Sequence, residues 1–278
     1  MPKLSLITIN LNDVKGIERT LKSVWDNQTY TDFEHIVIDG GSTDGSVDII
    51  KRYADKLAYW VSEPDKGIYN AMNKGILKAK GEYLLFINGG DWLAPNILSE
   101  VFKNSYTEDI VYGNFTYVKE DGTLIPEIYK RPLTYIDILI YSIGHPASFI
   151  KKSLFDKGLY NEDFRIVSDW AFFCEHIIKN RCSTRHIDKN ISFFNMYGIS
   201  LKPEVQKLTE DEHKKFLSST FEEPFLTLFE NAKSRECVFD YITKARTTEF
   251  LDSEWLQHKT RKCIKVLFFI KKILGIKR

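Results

Sequence analysis

The residue types in this chain that could do chemistry lie in short clusters of glycine and small polar side chains. Residues 81–92 read Gly-Glu-Tyr-Leu-Leu-Phe-Ile-Asn-Gly-Gly-Asp-Trp, an apolar run that stops abruptly in Asn88, Gly89, Gly90 and Asp91. Two glycines let the backbone approach a ligand closely. The single carboxylate beside them suits a hard divalent cation or a phosphorylated ligand; the same residues also describe a plain strand followed by a polar turn. Two further clusters share the character, Asn10-Leu11-Asn12 and Asp39-Gly40-Gly41-Ser42-Thr43-Asp44-Gly45. Neither the G-x-G-x-x-G dinucleotide fingerprint nor the G-x-x-x-x-G-K-[ST] phosphate loop occurs, which argues against hydride transfer and ATP hydrolysis. Downstream stand His145 and the acids Glu162, Asp163 and Asp169. Asp169 could accept a proton from a reacting hydroxyl, and it reads equally well as the N-cap of a helix over residues 170–178.

The elements around these clusters alternate. Strand patterns over residues 4–9, 33–38, 58–61 and 83–87 are separated by helical spacing over 16–27, 47–53 and 68–79, with Ser46 or Asp44 as a cap for the second helix. Pro95 is placed to open a further helix at its favoured first position. Strand–helix alternation with short loops predicts a parallel sheet with right-handed crossovers. The three polar clusters each follow a strand, so parallel strands would bring them to one sheet edge, where α/β proteins bind nucleotides. Later, residues 110–112 and 114–118 are strand-like, and Glu120-Asp121-Gly122 makes a hairpin turn into a run over 123–128. Pro126 confines that run to a sheet edge.

Composition excludes some classes. The 278 residues carry a net charge of +1, 43% hydrophobic and 28% charged residues, a soluble globular profile with no global polyanion-binding character, and no nucleic-acid partner is expected. Four cysteines without C-x-x-C spacing fit reduced thiols. The chain opens on a strand pattern instead of a signal peptide, and no run approaches a membrane span, so a cytoplasmic location is expected.

Asp39–Gly45, then Glu63-Pro64-Asp65-Lys66-Gly67-Ile68-Tyr69-Asn70-Ala71-Met72-Asn73-Lys74-Gly75, then the residues from Gly81 to Asp91 follow in order at close spacing. Together they resemble the family-2 glycosyltransferases, inverting enzymes with the GT-A fold. The resemblance covers roughly residues 3–173 and implies a mixed, mainly parallel sheet flanked by helices. It also implies a nucleoside-diphosphate-sugar donor, usually UDP-linked, and Mn²⁺ or Mg²⁺. By position, Thr8, Asn10 and Asp39 would line the nucleoside pocket, with Asp39 accepting from the base. Asp65, Lys66 and Asn73 would face ribose and phosphates, with Asn88 and Gly89 completing the donor site. Asp91 would hold the metal. The family's motif carries several acids there and this chain only one, so the metal would lean on diphosphate oxygens and water. The catalytic base falls on Asp169, preceded by Ser168 where many relatives carry Glu. In-line attack by an acceptor hydroxyl needs such a base, while Asp91 with its metal and Lys66 would stabilise the departing diphosphate. His145 and Trp170 are candidates for acceptor or diphosphate contacts.

This reading divides the chain into a glycosyltransferase domain over 1–200, with a nucleotide-sugar half to 95 and an acceptor half from 96, and a helical extension over 201–278. Helices are predicted over 204–220, 224–232 and 236–250. Residues 259–278 carry eight Lys and Arg and no acid, and the tail 255–278 suits a helix lying on an anionic membrane surface, placing the protein peripherally on the inner face. The function expected is sugar transfer to a glycan or lipid-linked acceptor in cell-surface polysaccharide synthesis. The alternatives are a nucleotide-sugar-binding scaffold with reduced catalysis and a sugar nucleotidyltransferase.

Overall fold

The computed structural model describes residues 1–129 and 131–196 and, in the C-terminal part, 203–223, 225–227 and 229–231. The chain divides into two compact units, Met1–Glu222 and Glu223–Arg278.

The first unit is built on a nine-stranded mixed sheet. Its parallel half comprises β1 (Leu4–Asn10), β2 (Phe33–Asp39), β3 (Tyr59–Ser62) and β4 (Tyr83–Phe86), arranged β3-β2-β1-β4. Every residue of β1 and β4 is buried, as strands covered on both faces must be. The order reverses beside β1, since β2 lies on one side of it and β4 on the other. A switch point of that kind opens a crevice at the carboxyl ends of the strands.

Helix α1 (Val14–Trp25) packs Ile17 and Leu21 against Val37 of β2 and against Ile49 and Ile50 of α2 (Ser46–Arg52). Asp13 caps α1 by accepting from the Gly16 amide. Gly45, in the left-handed conformation, is the residue before α2. Ser46 is therefore helical, and Asp44 accepts from its amide and hydroxyl instead of capping in the ordinary way. Helix α3 (Ile68–Lys78) lies close on β1, because a Cβ on Gly75 would come within 2.5 Å of Ile7 Cγ2.

The rest of the unit adds the two-residue β5 (Trp92–Leu93), α4 (Ile97–Phe102), β6 (Ile110–Val118), β7 (Leu124–Glu127), α5 (Tyr135–Tyr141), β8 (Ser148–Lys151), α6 (Ser168–Phe173) and β9 (Thr184–Asn195). β8 runs antiparallel between β4 and β6, and β9 runs parallel to β6. The two runs expected over 110–118 are one strand, with an irregularity against β9 between Tyr112 and Phe115. Among the described residues β7 pairs only with β6, the edge position that its Pro126 favours. Pro95 does not open α4: that helix begins at Ile97 after Asn96 in the left-handed region.

α6 is short and continues as a π-helical turn, Cys174–Lys179. Helix α7 (Pro203–Thr220) lies within the first unit, although the sequence groups it with the extension. Of the helix expected over 224–232, residues 225–227 and 229–231 are helical. The helix over 236–250 and the basic tail 255–278 lie outside the described residues. Among the described residues no helix is long and apolar enough to cross a membrane.

Candidate active site

Parallel pairing places the carboxyl ends of β1, β2, β3 and β4 along one edge, and short bonds tie them together. The Gly40 amide donates to Asn10 O at 2.8 Å, Glu63 N to Asp39 O at 3.0 Å, and Gly89 N to Ile9 O at 2.8 Å. The glycines are needed for this closeness. A Cβ on Gly89 would lie 2.4 Å from Asn10 Oδ1, and one on Gly40 would lie 2.5 Å from Asp65 Oδ2. Asn10, Asp39, Asp65 and Gly89 are thus gathered at one edge. Exposed Lys66 follows β3 there, on the loop before α3.

Asp39 is the most elaborately held of them. Its Oδ1 accepts from Asn10 Nδ2 (2.9 Å) and Ser42 Oγ (2.6 Å); its Oδ2 accepts from Ser62 Oγ (2.6 Å) and the Ser42 (2.8 Å) and Gly41 (3.2 Å) amides. Burial alone would raise its pKa, but bonds from Ser42, Ser62 and Asn10 outweigh burial and hold the carboxyl below its ordinary range. The residue is 0% exposed, so it organises the loop from inside.

Asp91 closes the turn after β4. Its Oδ1 accepts from the Asn195 amide at 2.8 Å, and its own amide donates to Asn88 O at 3.0 Å. It does not cap α4. Burial pushes its carboxyl up to about 7, against the opposing pull of the Asn195 amide; Asp13 adds to the rise.

Asp169 arrives from α6. It lies in the first turn of α6, after Val167 at the cap position, so it is not the N-cap. Its Oδ2 meets His145 Nδ1 at 3.0 Å, and its Oδ1 lies 2.7 Å from the Tyr69 hydroxyl, which also reaches Ile166 O at 2.6 Å. His145 Nε2 in turn lies 3.2 Å from Asn88 Nδ2. Burial alone would raise the Asp169 pKa, but the hydrogen bonds from His145 and the Tyr69 hydroxyl outweigh it and hold the carboxyl below its usual range. Its side chain keeps 21% of its surface open. An ionised, partly accessible carboxylate linked to the β4 turn is what proton acceptance at that turn requires.

Other expected contacts are not brought together. Thr8 is wholly buried, with its hydroxyl 3.0 Å from His35 Nε2. Asn73 is buried as well. Its amide nitrogen donates to Tyr160 O and Glu162 Oε1, and its oxygen accepts from Tyr160 N. With its bonding capacity used inside the fold, it ties α3 to the segment before α6 and does not face a ligand. Trp170 is core: its indole N–H donates to Ile138 O, and its ring packs on His213 and Phe216. Glu162 is committed to Asn70 and Asn73, and Asp163 is exposed.

Two residues escaped the sequence reading. Tyr69, inside the helical run of α3, holds Asp169; Glu212, on α7, accepts from the amides of Arg165, Ile166 and Val167 at the entry to α6. No local pattern marks either partnership, since 100 and 45–47 positions separate the partners.

Among the described residues no group of three His, Cys, Asp or Glu side chains is placed to hold a metal. The β4 turn offers one buried carboxylate, Asp91, and Asn88 Oδ1, a hard oxygen that is buried without a hydrogen-bond partner. Such a donor set fits a divalent cation completed by ligand phosphates and water, not an all-protein cage.

The fold is that of the GT-A glycosyltransferases. It matches residues 1–349 of Staphylococcus aureus TarS in complex with UDP at a TM-score of 0.59 and 22% identity, over 69% of this chain and 60% of that one. It also matches the mannosyltransferase PcManGT of Pyrobaculum calidifontis, solved with GDP-Man and Mn²⁺, at a TM-score of 0.55 and 16% identity, over 90% and 85%. At those identities the likeness speaks for the fold alone. The chain belongs to glycosyl transferase family 2, whose family model matches residues 5–179. An uncharacterised glycosyltransferase of Mycobacterium tuberculosis is 37% identical over 180 residues, 62% of this chain and 67% of that protein. A PGL/p-HBAD biosynthesis glycosyltransferase of Mycobacterium bovis is 30% identical over 211 residues, 71% and 78%.

Proposed function

We propose that this family-2 glycosyltransferase inverts the anomeric centre of a nucleoside-diphosphate-sugar, UDP-linked, and delivers the sugar to a hydroxyl of a glycan or lipid-linked acceptor. The observation that carries the reading is the hydrogen-bonded path from Asn88, at the end of β4, through His145 to Asp169 on α6. It joins the donor-side turn to an ionised carboxylate from the acceptor half. As the acceptor oxygen attacks C1 of the sugar, Asp169 takes its proton and the bond to the diphosphate oxygen breaks on the opposite face. Tyr69 keeps the carboxylate oriented. Its phenol is pushed well above its ordinary pKa by burial and by the Asp169 charge, so it stays a neutral donor.

Asn10, Gly40 and Gly89 shape the nucleotide edge, with Asp39 bracing it from within. A divalent cation, Mn²⁺ or Mg²⁺, held by Asp91 and Asn88 Oδ1 together with donor phosphates, would supply charge neutralisation for the leaving diphosphate. Lys66, on the same edge, adds a further cation. Family membership displaces the nucleotidyltransferase alternative. The mycobacterial relative named for PGL/p-HBAD biosynthesis supports an acceptor that is itself a glycolipid, and the basic tail 255–278 would then bring the enzyme to the membrane face. Loss of liposome association on deleting 255–278 tests that arm.

Asp169→Asn tests the mechanism. Binding of UDP with Mn²⁺ should be unchanged, while sugar transfer falls by about 10²–10⁴-fold. Transfer at the parent rate refutes the base.

A further inference from the structure

One ring links the turn after β4 to Asp169. His145 Nε2 lies 3.2 Å from Asn88 Nδ2 and Nδ1 lies 3.0 Å from Asp169 Oδ2. An amide nitrogen only donates, so with Asn88 in this orientation Nε2 accepts. The imidazole proton then sits on Nδ1 and is donated to the carboxylate. The backbone carrying the ring is pinned on several sides. Gly144 donates to the Tyr129 hydroxyl at 3.3 Å and accepts from Ser148 Oγ at 2.8 Å. A Cβ on Gly144 would meet the Phe115 ring at 2.6 Å. The Phe194 ring lies nearly perpendicular to the imidazole, with centroids 6.5 Å apart, and the His145 side chain is 13% exposed.

We infer that His145 is a positioning residue: a neutral imidazole, protonated on Nδ1, that keeps Asp169 in register with the turn at residues 88–91. The inference rests on the reading of Asp169 as the base. His145 gains and loses no proton in this role and needs no contact with donor or acceptor. It fixes Oδ2 of Asp169 while Tyr69 fixes Oδ1, and so sets the direction of the lone pairs left for the acceptor hydroxyl. The other ring nitrogen meets Asn88, so the ring is held at both of its nitrogens.

Two substitutions separate this role from packing. Asn places its amide near the Nδ1 position of the imidazole it replaces, and Gln near Nε2. His145→Asn therefore keeps a donor for Asp169, whereas His145→Gln keeps only the link to Asn88. The parent is first assayed with a panel of UDP-, GDP- and dTDP-sugars to find the donor it turns over. With that donor, His145→Ala and His145→Gln should lower kcat by about 10–100-fold. Donor KM and affinity for UDP with Mn²⁺ should change by less than about threefold, and His145→Asn should recover most of the lost kcat. Equal kcat for the Asn and Gln variants, or a loss carried by donor affinity, overturns the inference. Nitrogen-15 shifts of the His145 ring give a readout independent of turnover: a proton on Nδ1 supports the role and a proton on Nε2 overturns it. Asp169→Asn in the same assay separates the two readings. If that variant still transfers sugar, the base assignment fails; if it is inactive beside a fully active His145→Ala, only the positioning role fails.

Discussion

Two buried side chains of β2 show how much this fold depends on protonation. Asp39 collects five donors and is held below the ordinary carboxylate range by hydrogen bonds that outweigh its burial. A carboxyl with a depressed folded pKa contributes stability that is present above its unfolded value and lost as pH falls through the folded one. Asp39→Asn should cost on the order of 2–3 kcal/mol at neutral pH and shrink as the parent is acidified below pH 4, measured by urea unfolding. His35 works in the other direction. Burial pushes it down to about 3, with Nε2 on the Thr8 hydroxyl and Nδ1 unpartnered. Between pH 6.5 and about 3 the unfolded chain binds a proton that the folded chain refuses. Stability should therefore fall with acidity over that window, by up to about 1.4 kcal/mol per pH unit from this residue. His35→Gln should flatten that limb in urea titrations; an unchanged slope refutes the assignment.

At the level of elements, the site is assembled where a long-range contact overrides a local signal. Asp169 carries the sequence signature of a cap, yet the entry to α6 is satisfied from elsewhere. Glu212 of α7, only 6% exposed, accepts from Arg165 N at 2.7 Å, Ile166 N at 3.0 Å and Val167 N at 3.3 Å. With those amides satisfied, the Asp169 carboxylate is left to point at His145 and Tyr69. Glu212→Ala leaves three donors without their acceptor and should destabilise the fold by on the order of 2–4 kcal/mol. It should also lower kcat more than donor affinity, because the element it releases carries Asp169. Glu212→Gln, keeping one acceptor oxygen, should lie between. A Glu212→Ala chain with parent stability in urea and parent kcat refutes this account. Asn96, left-handed ahead of α4, is a similar case: Pro95 signalled the right neighbourhood but not the first helical residue.

Across the whole molecule, the compact unit runs to Glu222, well past the residue where the strand–helix pattern ends. Residues 1–222 expressed alone should fold and unfold in one cooperative transition by circular dichroism. The same protein cut at residue 200 loses α7 and Glu212, and should show a lower and broader transition. Equal transitions for the two truncations would show that α7 is dispensable.

The amino-acid sequence alone determined the parallel half of the sheet, its four strands and the three polar clusters that follow them, because strand period and glycine placement are local properties. Parallel pairing then makes the shared edge of Asn10, Asp39 and Asn88–Asp91 unavoidable, so that edge was legible before any coordinate. The partners were not. Thr8 and Asn73 match the family motif by position, yet they spend their polar atoms on His35 and on the segment before α6; Trp170 is spent on α5 and α7. Side-chain direction in a packed interior is decided by neighbours far away in the chain. The link of Asn88 to His145 and Asp169 likewise exists only once β4, β8 and α6 have packed, because hydrogen bonds spanning 57 and 24 residues leave no trace in spacing.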